Sequence, residues 1–310
     1  MPTLLRCALM FALLVTGRAG AETLRVATYN IENAFDVFDD PYTGDEGSDV
    51  KPRAEWQAIA DAITESDADA VFFQELENEA LLVALVAEFL PDGGYDFVAA
   101  VPTNSERGIN LGVISRVPLR SVASHRWDTL THPTDNRTWR YSRDLMEVDL
   151  AVGERTVRVY NVHLKSNRDG SDDPRSMIRR TAEALGLKRH VVADLQADPN
   201  ALVLAVGDFN SDYMAQDDGA RPFPALAQLM RPAPELDGTR PLLNVLDGRP
   251  RDQRVTLPGG GRYPPASFDH ILASPALHDR LKPDTARVLP RPEGTYGSDH
   301  LLVVAEFDLD

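Results

Sequence analysis

The sequence predicts an α/β domain, and three observations carry that prediction. Residues 24–89 alternate strand-like and helix-like apolar patterns, the order expected of helices packed on a sheet. A continuous apolar run, Val203–Val206, stops at Gly207 and reads as a strand buried on both faces. From Tyr95 onward, short apolar segments joined by turn residues replace the helical pattern.

The elements follow in order. Leu24–Tyr29 is a short strand, with Asn30 at its end. Residues 36–49, rich in Asp and Glu, lack EF-hand spacing and read as a solvated loop. Trp56, Ile59, Ala60 and Ile63 mark one amphipathic helix; Leu81, Leu82, Leu85, Val86 and Phe89 mark a second. Between them, Ala70–Gln74 is a strand that runs into Glu75. Strands are expected at Tyr95–Ala99, Leu111–Ser115, Leu145–Ala151 and Thr156–Val162, the last two joined by a hairpin through Gly153. Asp173 as N-cap and Pro174 at the first helical position open a long helix to about Gln196. Residues 215–265, rich in Pro and Gly with one short helix near Ala225–Met230, read as a surface insertion. Phe268–Ala273 and Leu301–Asp308 close the domain.

Of the 310 residues, 43% are hydrophobic, enough for one large core, and no repeat or linker divides the chain. Residues 1–21 read as a secretory leader: Arg6, an apolar stretch Cys7–Val15, and the small residues Ala19-Gly-Ala21 before the cut. That stretch is shorter than the ~20 residues of a membrane span. Export to the periplasm or the medium is therefore expected, leaving 22–310 as a single domain. The one cysteine leaves with the leader, so neither disulfides nor thiolate metal sites are expected. The net charge of −16 argues against a broad basic face for nucleic acid, though not against local phosphate contacts.

Several strands end on residues suited to metal or phosphate chemistry. Asn30 and Glu75 follow the first two, and His163 closes the strand through Val162. Asp208 and Asn210 end the central run, Asp269 sits in an apolar strand, and Asp299-His300 precede the last. Open α/β sheets bind ligands at strand ends, so these side chains can share one mouth.

Ala27-Thr-Tyr-Asn30, Gln74-Glu75, Asn161-Val-His163-Leu164, Gly207-Asp-Phe-Asn210, Phe268-Asp-His-Ile-Leu272 and Ser298-Asp-His300, in this order, resemble the endonuclease/exonuclease/phosphatase superfamily, the deoxyribonuclease-I-like group. The resemblance spans the mature chain, and Asn30–Asp36 and His163–Ser166 are most similar to its secreted bacterial members. It implies a four-layer sandwich: two mixed β-sheets face to face, flanked by helices. It also implies phosphodiester hydrolysis. Asn30, Glu75 and Asp299 would hold the metal, and Asp269 would orient His300 toward the attacking water. His163 and Asn210 would donate to the phosphate, while Asp208 would position the nucleophile or a second metal. Arg143 and Arg179 are the candidate phosphate-binding arginines. An all-oxygen metal set favours Mg²⁺ or Mn²⁺, with Ca²⁺ a further option, over zinc. The chain departs from the nucleic-acid-cleaving branches at one point. They carry an active-site tyrosine before the phosphate arginine, whereas only Tyr95 and Tyr141 lie between Glu75 and Arg143, in no matching context.

The leading expectation is an exported, metal-dependent phosphodiesterase, a monomer without stable membrane insertion, acting on nucleic acid. Its rivals are a sphingomyelin or phospholipid-headgroup hydrolase, a small-molecule phosphomonoesterase and, last, a non-catalytic binding protein. Retention of Glu75, Asp208 and His300 speaks against the last.

Overall fold

A computed structural model describes residues 23–38, 41–44, 49–167, 172–213, 225–260, 264–290 and 297–310. The leader 1–21 and parts of the acidic loop 36–49 lie outside the described residues.

Strands β1 (Thr23–Ala34), β2 (Ala70–Leu76), β3 (Phe97–Val101), β4 (Asn110–Ser115), β13 (Arg287–Val288) and β14 (Val303–Asp308) form one mixed sheet, ordered β13-β14-β1-β2-β4-β3. A second mixed sheet is ordered β11-β12-β10-β9-β8-β5. It contains β5 (Leu119–Ser124), β8 (Leu145–Val152), β9 (Arg155–His163), β10 (Leu202–Asp208), β11 (Leu243–Asn244) and β12 (Asp269–Ala273). The strands β6 (Leu130–His132) and β7 (Asp135–Trp139) form a separate two-stranded ribbon, anchored by the buried Leu130.

Alternation along the strands builds the layers. On β10, Leu204 and Val206 join Phe72 of β2 and Val303 of β14 between the sheets, while Val203 and Ala205 face outward. Helices α1 (Arg53–Ser66) and α2 (Glu79–Phe89) cover the outside of the first sheet through Trp56, Ile59, Ile63, Leu82 and Leu85. Helices α3 (Met177–Ala197) and α4 (Ala225–Met230) cover the second through Leu187, Val191, Leu226 and Leu229. The result is the expected four-layer sandwich; the short helix α5 (Pro275–His278) adds Leu277 to the inter-sheet core.

Three departures from the sequence reading have physical causes. The helix expected from Asp173 starts at Met177, because Arg175 and Ser176, within the 3₁₀ turn Pro174–Ser176, take positive φ. Asp173 still caps it from a distance, accepting from the amides of Ile178 (2.9 Å) and Arg179 (3.0 Å). The 215–265 segment is not all surface: Leu226, Leu229, Leu242 and Leu246 are fully buried, and β11 pairs with β12. β5, β6 and β7 escaped the sequence reading because β5 is mostly exposed and the ribbon is polar.

Candidate active site

The site lies where the inter-sheet core opens at the strand ends. β10 is flanked in register by β9 and β12, so Asp208 stands opposite His163 on one side and Asp269 on the other. Residues paired in register share a face, and Val206, two residues back, belongs to the inter-sheet core. All three polar side chains therefore continue the inner face of the sheet. Gly207 permits this approach: its φ is +130°, and a Cβ there would lie 2.0 Å from the Val162 carbonyl oxygen.

The first sheet contributes Asn30 and Glu75 from adjacent parallel strands. Gln74 already points inward, its Nε2 donating to Asn161 Oδ1 across the sheets at 2.8 Å. Simple alternation would send Glu75 to the opposite face. Instead the β2–β4 register shifts between Gln74 and Leu76, and Glu75 takes φ 64°. This bulge re-aims the carboxylate toward the second sheet. Its Oε1 lies 3.8 Å from His163 Nε2 and 3.5 Å from Asn30 Nδ2, and its Oε2 accepts from the Asn33 amide at 3.2 Å.

Asp208 is the hub. Its Oδ2 accepts from Asn30 Nδ2 (3.2 Å) and Asn210 Nδ2 (3.3 Å) and lies 3.5 Å from His163 Nε2. Its Oδ1 accepts from the Asn210 amide at 2.8 Å. Burial, then the neighbouring Asp269 charge, pushes the Asp208 pKa up to about 7. Asp269 Oδ2 lies 2.7 Å from His300 Nδ1. Burial alone would lower the His300 pKa, but the field and hydrogen bond of Asp269, aided by Asp208 and Asp299, raise it to about 10. Burial drives His163 far the other way, assisted by the positive charges of Arg143 and His300, so its imidazole is neutral.

Asn30, Glu75, His163, Asp208, Asn210, Asp269 and His300 thus meet at one rim. Arg143 is buried behind it: burial lowers its pKa, and the charges of Glu75 and Asp208 reach it. Asp299 sits at the exposed edge, its amide donating to Glu32 Oε2 (2.8 Å) and its carboxylate 3.8 Å from His300 Nε2. Arg179 turns elsewhere, donating to the Arg140 carbonyl (3.4 Å) and facing Glu183 at 3.6 Å. Tyr95 donates to the Ala68 carbonyl at 2.8 Å and Tyr141 is buried under α3, so neither reaches the rim.

The donor set suits a hard divalent cation. Glu75 and Asp208 present carboxylates, and ligand atoms of Asp208, Asp269 and His300 lie within 4.8 Å of one another. Among the described residues, neither Asp269 Oδ1 nor His163 Nδ1, both buried, has a hydrogen-bond partner. Asn30 turns its amide nitrogen to the carboxylates and its Oδ1 to the Glu32 amide (3.0 Å), so as an oxygen ligand it would turn over.

Three supports were missed in the sequence. Glu32, raised in pKa by burial and by Asp299, holds the Asp299 amide. Ser298 Oγ donates to the Asn30 carbonyl (2.7 Å) and accepts from the His300 amide (3.0 Å), tying the last loop to β1. Glu183, fully buried in mid-helix, accepts from the amides of Ser142 (2.8 Å) and Lys165 (2.6 Å), fixing the segments beside Arg143 and His163. Ser298 and Glu32 lay within quoted motifs, whereas Glu183, a lone acid within a helix, carries no sequence signal.

Comparison with known proteins follows the same lines. The model of the Endonuclease/Exonuclease/phosphatase family matches residues 25–219. No curated protein matches the chain by sequence. Among solved structures, the human nocturnin catalytic domain with bound sulfate aligns with a TM-score of 0.62 at 19% identity, covering 93% of this chain and 94% of that one. Truncated Caenorhabditis elegans TDP2 gives 0.59 at 17%, over 92% and 98%. Danio rerio TDP2 in complex with a single-strand DNA product gives 0.57 at 17%, over 92% and 98%. At these identities the structural likeness concerns the fold.

Proposed function

From the premise that the chain belongs to the endonuclease/exonuclease/phosphatase family, whose members are metal-dependent hydrolases of phosphoester bonds, we propose that it is a phosphodiesterase acting on nucleic acid. One observation carries the reading: His163 Nε2 lies 3.8 Å from Glu75 Oε1 and 3.5 Å from Asp208 Oδ2, beside the Asp269–His300 pair. A divalent ion held by Glu75, Asn30 and Asp208 would stabilise charge on the phosphoryl oxygens; Mg²⁺ or Mn²⁺ fits the oxygen-rich set. His300, protonated and fixed through Nδ1, presents Nε2 as the donor. His163 and Asn210 orient the phosphate, and Arg143 supplies a buried positive charge beside it. Asp208, held by the backbone and side-chain amides of Asn210, would orient the attacking water.

Nucleic acid is favoured by a platform beside Arg143. Trp127, 61% exposed, has the guanidinium of Arg126 at 4.9 Å from its ring centroid and that of Arg140 at 5.4 Å. Asn104 joins this platform to the site, bonding the carbonyls of Arg126 (2.8 Å) and Arg143 (3.1 Å). An exposed ring flanked by cations suits stacking of an unpaired base. The Danio rerio TDP2 complex with single-strand DNA product points the same way. A second reading, hydrolysis of phospholipid headgroups, is favoured by exposed Val37, Phe38 and Tyr42 just after β1. Among the described residues no helix is long and apolar enough to cross a membrane. The leader-like residues 1–21 support export of 22–310 as one domain.

The test is a substrate panel of single-strand DNA, RNA, sphingomyelin vesicles, bis-p-nitrophenyl phosphate and p-nitrophenyl phosphate. Each is assayed with Mg²⁺, Mn²⁺ or chelator, with His300→Ala as control. Cleavage of nucleic acid that chelator abolishes is expected. Preference for vesicles or the monoester would overturn the substrate assignment, and activity in chelator would overturn the metal.

A further inference from the structure

A second cluster lies on the opposite face of the second sheet. Glu147 of β8 pairs in register with Tyr160 of β9, which faces α3, so Glu147 points outward, away from the catalytic rim. His125, just after β5, and His190 of α3 converge on it, and ligand atoms of the three residues lie within 4.8 Å of one another. His125 Nε2 and Glu147 Oε2 are 2.9 Å apart. Ligands about 2.1 Å from a tetrahedral zinc stand roughly 3.4 Å from each other, so a small movement admits an ion.

The charge balance of this cluster calls for a cation. Asp128, Glu147, Asp149 and Asp194 surround it, and among the described residues Arg158 is the one guanidinium bonded among them, to Asp149 (2.9 Å) and Asp194 (2.6 Å) and 3.2 Å from Glu147. Arg120, exposed, reaches Asp149 only through its longer-range field. Four carboxylates against one guanidinium leave a deficit of three charges; two imidazolium ions would offset two of them, but the rings of His125 and His190 touch, with centroids 4.3 Å apart. Like charges at that distance oppose each other. A single divalent ion supplies the same two charges and turns the contact into shared ligation.

The surroundings resemble those of ligating histidines. Asp128 Oδ2 holds His190 Nε2 at 2.7 Å, leaving Nδ1 as the nitrogen His190 can give. A carboxylate on the far ring nitrogen is the usual support of a metal-bound histidine. Two imidazoles and one carboxylate are a borderline set that zinc, nickel or copper fits better than Mg²⁺ does.

We propose that His125, Glu147 and His190 form a second metal site for a zinc-class divalent ion, separate from the catalytic rim. The ion ties the loop that carries Trp127 to α3.

Anomalous diffraction at the zinc edge, from crystals of the full chain soaked in Zn²⁺ with excess Mg²⁺, tests this without any substitution. A peak at bonding distance from all three side chains is expected; its absence overturns the site. In solution, zinc is counted per chain after gel filtration in excess Mg²⁺. His125→Asn/His190→Asn is expected to hold one ion fewer than the unaltered chain, and Glu147→Gln to bind zinc at least tenfold more weakly. An unchanged count in the double variant, or loss of that ion from Glu75→Gln instead, overturns the proposal.

Discussion

Replacing Asp269 with Asn should uncouple His300 from its charge. The carboxylate is fully buried and 2.7 Å from His300 Nδ1. The gap between the ordinary imidazole value of 6.5 and about 10 corresponds, at ~1.4 kcal/mol per pKa unit, to roughly 5 kcal/mol favouring the charged ring. Asp208 and Asp299 supply part of this, so breaking the Asp269 bond should cost about 3 kcal/mol, in line with loss of one partner of a buried pair. The sign follows from linkage. A raised histidine stabilises the fold fully below pH 6.5, and that stabilisation fades as pH climbs through about 10. Urea unfolding of the unaltered chain and Asp269→Asn at pH 6, 8 and 10 should show the widest gap at pH 6 and convergence at pH 10. Turnover of bis-p-nitrophenyl phosphate should fall about 10²–10⁴-fold, the usual worth of a positioned proton donor. A stability gap independent of pH, or a His300 ring titrating near 6.5 by NMR in the unaltered chain, would refute the reasoning.

Further outcomes are expected. Gly207→Ala should destabilise by about 3 kcal/mol or more, because its Cβ would lie 2.0 Å from the Val162 carbonyl oxygen; a urea midpoint close to that of the unaltered chain would contradict the backbone description. Mg²⁺ affinity, measured by calorimetry, should rise between pH 5 and 7 by up to about tenfold per unit and flatten above. The ion needs the charged Asp208, whose pKa sits at about 7, and a flat profile would remove Asp208 from the ion's surroundings. Without metal the same raised carboxylate works the other way: its contribution to stability is lost as pH rises from about 4 to about 7. Trp127→Ala should raise KM for single-strand DNA about tenfold with kcat little changed. An unaltered KM would take the stacking platform out of substrate binding.

Much of this architecture was legible because burial on both faces of a strand leaves a continuous apolar run, as in Val203–Val206, and a covered helix leaves its 3.6-residue rhythm, as in Trp56, Ile59 and Ile63. The site side chains were legible one by one, each standing at an edge of apolar sequence: Asn30, Glu75, His163 and Asp208 where a run stops, Asp269 and His300 where one begins. Their directions were not. Glu75 joins the rim through a bulge and a positive φ, and neither leaves a mark in Gln74-Glu75. Arg143 and Arg179 look alike in sequence, yet one is buried beside the carboxylates while the other turns to the Arg140 carbonyl and Glu183. Glu183 itself reads as an ordinary helix acid, and only tertiary packing shows it bonding the amides of Ser142 and Lys165.

The sandwich and the chemistry are joined through one electrostatic problem. Gln74 and Asn161 lock the two sheets beneath the rim with buried amide bonds, so the ends of β1, β2, β9 and β10 cannot drift apart. That rigidity holds Glu75, Asp208 and Asp269 together, with the His300 imidazolium bonded to one of them and His163 neutral among them. Carboxylates forced together in a low-dielectric site either take up protons or draw in a cation. Asp208, its pKa displaced to about 7, records the first response without metal; a bound divalent ion would be the second, and would favour the charged carboxylate. The packing that closes the core therefore sets the ion affinity, and loosening the Gln74–Asn161 bond should weaken Mg²⁺ binding even though neither side chain is proposed as a ligand.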